Sequence, residues 1–192
     1  VISGDLLIHG GLLASRLPQG TVNDEQNFFK LLQTMPSGED ITVFSIIPRL
    51  LVSDNLLPDA WYQWHLMRYS TLRDIVEQFG DYPSTAQLEE IKNKIPQEIL
   101  QKYNVLYSTN DSFNKQLAAL CAAKNYTLVI GQDDAQPFGL PNRNRTHAEA
   151  YMRRAGLSSA STTTCGADEI AQMLTARRFC QINNYKPKFY IE

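Results

Sequence analysis

Two adjacent carboxylates, Asp133 and Asp134, close an apolar run in the stretch "VIGQDDAQPFG". Carboxylates crowded at one spot raise one another's pKa or share a cation, so the pair suits general acid–base chemistry or a hard metal ion. Three more polar clusters stand just after apolar runs: Asp5 with His9, Gly10 and Gly11; Arg49; and Asp168 with Glu169. Ligands of open α/β sheets bind outside the carboxyl ends of the strands, and one parallel sheet would bring all four clusters to a single rim.

Each cluster also has a plainer reading. "DDAQPFG" has the composition of a turn, in which Asp accepts backbone N–H bonds. Asp168 and Glu169 precede the helical pattern Ile170, Met173, Leu174, where acids favour the helix dipole whatever else they do. Cys165 lies ahead of that helix start, but no histidine stands at a partner spacing. "IHGGLLASR" offers glycines and Arg16 to an anion, yet it matches neither the dinucleotide nor the Walker pattern. His9, His65 and His147 lack metal-pair spacing, and Asn110 and Asn114, four apart, read as a solvated pair on one helix face. Trp61, Tyr62, Trp64 and Tyr69 read mostly as core at helical spacing, with Trp61 or Tyr62 available to line a sugar-like pocket. Successive residues of a strand point to opposite sides, so Asp133 and Asp134 are expected to divide their tasks. Asp134 is expected to accept a backbone N–H from the 136–139 turn while the Asp133 carboxylate faces the open rim.

The elements that must position these residues follow from periodicity. Strand-like runs cover Val1 to Ile8, Ile41 to Ile47, Tyr126 to Ile130 and Lys188 to Ile191, with a β-branched candidate at Ser161 to Thr164. Helical patterns fill Asn27 to Met35, Pro58 to Gly80, Ser84 to Lys94, Gln97 to Ala123, Thr146 to Ala155 and Ala167 to Ile182. The alternation predicts a single α/β domain over 1–192, with a mostly parallel sheet covered by helices on both faces, Rossmann-like or flavodoxin-like in three layers. The stretch 58–123 exceeds an ordinary crossover and is expected to be a helical insertion or lid. The apolar opening at Val1 and the closing "KFYIE" suggest a piece of a longer chain, with contacts to its remaining N- and C-terminal parts.

Composition removes several function classes. A net charge of −2 with scattered basic residues gives no patch for nucleic acid or an anionic membrane, and no run approaches a membrane span. The three cysteines, Cys121, Cys165 and Cys180, are too few and too scattered for a disulfide framework or a zinc site. No cofactor motif is present; a divalent metal is the one cofactor that the carboxylates leave open.

The segments "GDLLIHGGLLASR", "FSIIPR", "RYSTL", "IPQEIL", "GQDDAQPFG" and "CGADEIAQMLTARRF", in this order and over nearly the whole chain, resemble the bacterial proteins grouped as domain of unknown function 4127. The resemblance implies a longer protein, with a strand bearing a Pro-Leu-Asp…Arg-Pro motif ahead of Val1. It also implies one site built from Asp5, Gly10, Gly11, Ser15, Arg16, Arg49, Asn110, Asn114, Gln132, Asp133, Asp134, Pro137, Gly139, Gly166, Asp168 and Glu169. The chain departs from the family pattern at His9, Pro48, Tyr107 and Thr109, the last two standing where arginines are common. The resulting expectation is a hydrolase-like enzyme with Asp133, Asp5, Asp134 and Glu169 as acid–base or metal-binding carboxylates. Arg16, Arg49, Asn110, Asn114, Gln132 and Asp168 would bind a sugar-derived or other polyhydroxylated substrate. The alternative is a non-catalytic module that binds a small polar ligand or a neighbouring domain through the same rim.

Overall fold

The computed structural model describes residues 1–10, 22–38, 40–51, 62–80, 82–167 and 169–186. Four strands, β1 (Ile2–Ser3), β2 (Thr42–Ile47), β3 (Thr127–Gln132) and β4 (Thr162–Cys165), form one sheet in the order β1-β2-β3-β4. Every pairing is parallel, so each connection is a helical crossover. The helices are α1 (Gly4–His9), α2 (Val22–Thr34), α3 (Gln63–Phe79), α4 (Tyr82–Lys92), α5 (Gln97–Lys124), α6 (Leu140–Ala155) and α7 (Ile170–Ile182).

The two central strands are apolar on both sides, as strands covered twice must be. On one face, Val43 and Ile47 of β2 and Leu128 and Ile130 of β3 pack against Phe28 and Leu32 of α2, Phe113 and Leu117 of α5, and Met152 of α6. On the other face, Phe44, Ile46 and Val129 meet Ala167 and Ile170 at the start of α7. The result is the expected α/β architecture in three layers. Each fully buried side chain of this size is worth about 1.5–3 kcal/mol.

A second apolar cluster joins Leu66 and Tyr69 of α3, Ile95, Tyr103, Leu106 and Tyr107 around α5, and Leu140 of α6. It corresponds to the segment expected as an insertion or lid, and its described elements are helical. The far half of α5, including Phe113, Leu117 and Cys121, belongs to the main core. One 28-residue helix therefore ties the two clusters together.

Three local expectations are corrected. The run from Val1 to Ile8 is a strand only over Ile2–Ser3 and then a helix. Ser3 caps that helix by accepting the Leu6 N–H at 3.1 Å, and Gly10, at φ 78°, ends it by donating to the Leu6 carbonyl. A continuous apolar run has no period to betray this, although Ser3 and Gly10 were the available signals. Helix α6 begins at Leu140, not Thr146, because Pro141 sits in its first turn where a missing N–H costs nothing. Trp64 is 77% exposed, whereas Tyr69 is buried as expected. Lys188 to Ile191, Pro58 and Trp61 lie outside the described residues.

Candidate functional site

Parallel strands deliver their outgoing chains to one edge of the sheet. Asp5 lies just past β1, Arg49 just past β2, Asp133 directly past β3 and Glu169 a turn beyond β4. The predicted rim is thus present, while Gly11, Ser15, Arg16 and Asp168 lie outside the described residues. Past β3 the chain enters α6 on one face, and past β4 it enters α7 on the other. Neighbouring strands whose connections part to opposite faces leave a crevice beyond their carboxyl ends, the position at which open α/β sheets bind ligands.

Asp133 and Asp134 do divide, but not as expected. Asp134 takes a left-handed backbone, φ 45°, so the chain turns sharply between the two. Asp133 is only 6% exposed, and its N–H donates to the Ile47 carbonyl at 3.1 Å. The Asp134 side chain is 63% exposed and lies 3.3 Å from the Arg49 guanidinium. It does not hold the following turn: the Gly139 N–H donates to Asp74 Oδ2 at 2.8 Å and the Leu140 N–H to Ser70 Oγ at 2.7 Å. Both acceptors come from α3 and are buried, so the turn is fixed from across the fold. A cleft of 310 Å³ lined by Leu50, Leu51, Met67, Asp134, Ala135 and Gln136 opens beside Asp134.

Arg49 is positioned from α5. The Tyr107 hydroxyl donates to the Arg49 carbonyl at 2.6 Å and the Tyr103 hydroxyl to the Leu50 carbonyl at 3.2 Å, both from buried rings. Tyr107 thus serves the loop that carries Arg49. The Arg49 Nε donates in turn to the Leu51 carbonyl.

Asp5 is 8% exposed, and its Oδ2 accepts the Ile46 N–H at 2.9 Å, which locks the start of α1 to β2. Asn110 and Asn114 are not a solvated pair. Ser45 Oγ donates to Asn114 Oδ1 at 2.8 Å, and the Asn114 amide donates to Asn110 Oδ1. The Asn110 amide donates to the Ile46 carbonyl at 2.9 Å, and Asn144 of α6 donates to the Tyr107 carbonyl at 2.8 Å and to Asn110 Oδ1 at 3.3 Å. This buried ladder fastens α5 and α6 to β2 just beneath the rim. Glu169 is the N-cap residue of α7, with no side-chain capping bond of its own.

The exception to this satisfaction is Gln132, the last residue of β3. It is 0% exposed, and neither its Oε1 nor its Nε2 has a hydrogen-bond partner. A buried polar group left unmet costs about 1–3 kcal/mol, so the amide is held at a loss. The other unmatched buried side-chain atoms among the described residues are Arg143 Nε and Arg145 Nε, both on α6. Strand register pairs Gln132 with Cys165, and the Arg145 guanidinium reaches Cys165 Sγ at 3.9 Å.

Packing fixes the crevice closely. A Cβ on Gly131 would lie 2.1 Å from Ile170 Cδ1 and 2.7 Å from the Gly166 carbonyl oxygen. Only glycine lets α7 start directly against β3. The Gly166 N–H also donates to the Gln132 carbonyl at 2.9 Å, which extends the β3–β4 pairing to the lip of the site.

Sequence reasoning missed Ser70, Asp74 and the α6 residues Asn142, Asn144 and Arg145. The polar alternation "NRNR" directly after Gly139 and Pro141 was a usable signal, since the helix following a central strand starts at the rim. Asp74 gives no such signal, because an Asp within an amphipathic helix ordinarily faces water. Among the described residues no group of three or more His, Cys, Asp and Glu side chains is placed to hold a metal ion, and no helix is long and apolar enough to cross a membrane.

A model of the family described as protein of unknown function (DUF4127) matches residues 1–192, and the chain belongs to that family. Comparison with curated proteins gives no match, and comparison with solved structures gives none.

Proposed function

We propose that this family member is a hydrolase-like α/β enzyme unit that takes a polyhydroxylated substrate at the carboxyl edge of its sheet. The observation that carries the reading is Gln132, a wholly buried amide with both ends unmet, one residue before a buried carboxylate at the point where β3 and β4 diverge. Unmet polar atoms are rare in folded proteins and commonly await a ligand or an ordered water.

Asp133 supplies the acid–base group in this reading. It is buried at the end of β3, so a carboxyl there would meet a bound substrate out of bulk water. Arg49, paired with Asp134 of the 310 Å³ cleft lining, orients the substrate's polar groups, and Asp5 keeps the rim rigid through its bond to β2. Glu169, the N-cap residue of α7, serves in this reading as the second carboxylate.

The test is a turnover screen of glycosides, carboxylic esters and phosphoesters on the native protein and on Asp133→Asn. Hydrolysis of at least one class by the native protein, lost in the variant, is the expected result. A second reading, a non-catalytic module binding a small polar ligand, is favoured by the ion pair between Asp134 and Arg49, which leaves one rim carboxylate neutralised. Ligand binding without turnover in any class would establish that reading and overturn the first.

A further inference from the structure

Gln132 and Arg145 each carry a buried polar atom without a hydrogen bond, and unlike Arg143 they meet at one strand junction. Gln132 faces the α6 side of the sheet: it shares strand parity with Leu128 and Ile130, which pack into the core on that side. Its register partner Cys165 carries the contact to Arg145, so the amide and the guanidinium front the same part of the β3–β4 junction.

Their chemistries differ and complement one another. A glutamine amide offers an acceptor beside a donor, which a hydroxyl answers with its own donor and acceptor. Arg145 is held loosely: one terminal nitrogen donates to Asn142 Oδ1 at 3.3 Å, the other touches sulfur, and Nε is buried without a hydrogen bond. Its Nε is paired only at 3.9 Å with Glu149 Oε1, which already accepts the Thr163 hydroxyl at 2.7 Å. A planar guanidinium in this condition suits one further carboxylate, bound through two parallel N–H bonds.

We propose that Gln132 and Arg145 form a recognition subsite for a hydroxylated carboxylate, a sugar acid, with a hydroxyl on the Gln132 amide and the carboxylate on the Arg145 guanidinium. This inference rests on the carboxyl-edge reading above and narrows its substrate class.

Thermal melts of the native protein with D-glucuronate, D-glucose or acetate as probes test it, beside Gln132→Met and Arg145→Met. Glucuronate should raise the native melting temperature by a few degrees, glucose should raise it less, and acetate should leave it unchanged. Both variants should lose the glucuronate shift, and Gln132→Met should melt at or above the native protein, since it removes an unmet amide while filling its volume. A native protein unmoved by glucuronate, an equal shift with acetate, a shift retained in either variant, or Gln132→Met melting below native would each overturn the proposal. Failure of the acid–base reading is told apart by turnover: melts as expected with no hydrolysis sink only the enzyme reading, and hydrolysis without glucuronate protection sinks only this subsite.

Discussion

The carboxylate of Asp74, in the middle of α3, accepts the backbone N–H of Gly139 at 2.8 Å across 65 residues of sequence. The same oxygen also accepts from the Asn142 amide at 3.1 Å, so one buried group holds both the end of the β3 loop and the first turn of α6. Asp74→Ala should therefore cost about 1–3 kcal/mol of stability, the penalty of stranding buried donors. Asp134→Ala should cost less than about 1 kcal/mol, because its pairing with Arg49 is exposed to solvent. Chemical denaturation of the two variants checks the ranking, and equal losses would contradict it.

Gly131→Ala should be destabilising by about 1–3 kcal/mol through overpacking. The added methyl meets Ile170 Cδ1 at 2.1 Å and the Gly166 carbonyl oxygen at 2.7 Å. The first obstacle is a side-chain tip and can yield, whereas the second is backbone. Adding Ile170→Val should consequently recover only part of the loss, as read from paired melts; full recovery would show that β4 yields more readily than its contacts imply.

Alkaline pH should unfold the protein earlier than its surface composition suggests. Burial pushes the Tyr103 hydroxyl up to about 12 from 10.0 and the Cys121 thiol up to about 12 from 9.0. Both groups lose their proton more easily in the unfolded chain, so their contribution is fully present below pH 9.0 and is lost as pH rises toward about 12. Melting temperature should fall steadily over that window. At pH 8 a thiol reagent should label exposed Cys165 in the native protein and reach buried Cys121 only after denaturation. Rapid native labelling of Cys121 would contradict the packing of α5 on the sheet.

The parallel sheet and its rim were legible because β2 and β3 announce themselves as apolar runs, and because strand alternation with helices leaves few topologies. Asp5, Arg49, Asp133 and Glu169 accordingly came out on one edge. The division of tasks between Asp133 and Asp134 was half legible: alternation demanded that they part, but nothing local showed that Asp74 and Ser70 already served the Gly139 turn. Asn110 and Asn114 were misread as solvated for a similar reason. Their partners, Ser45, Ile46 and Asn144, lie in other elements, and a buried amide ladder leaves no period in sequence. Gln132 drew notice only through its place in the family motif, and its unmet amide is a property of the assembled fold alone.

The proposed reacting carboxylate is Asp133 at the β3–β4 divergence, with Asp134 a surface partner of Arg49. The most direct measurement is kcat/KM of Asp133→Asn and Asp134→Asn on one hydrolysed substrate, with melts to confirm folding. The account predicts a loss of roughly 100-fold or more for Asp133→Asn, as expected for removal of a general acid–base group, and a change within a few-fold for Asp134→Asn. A folded Asp133→Asn retaining native turnover, or an equal loss in the two variants, would contradict it.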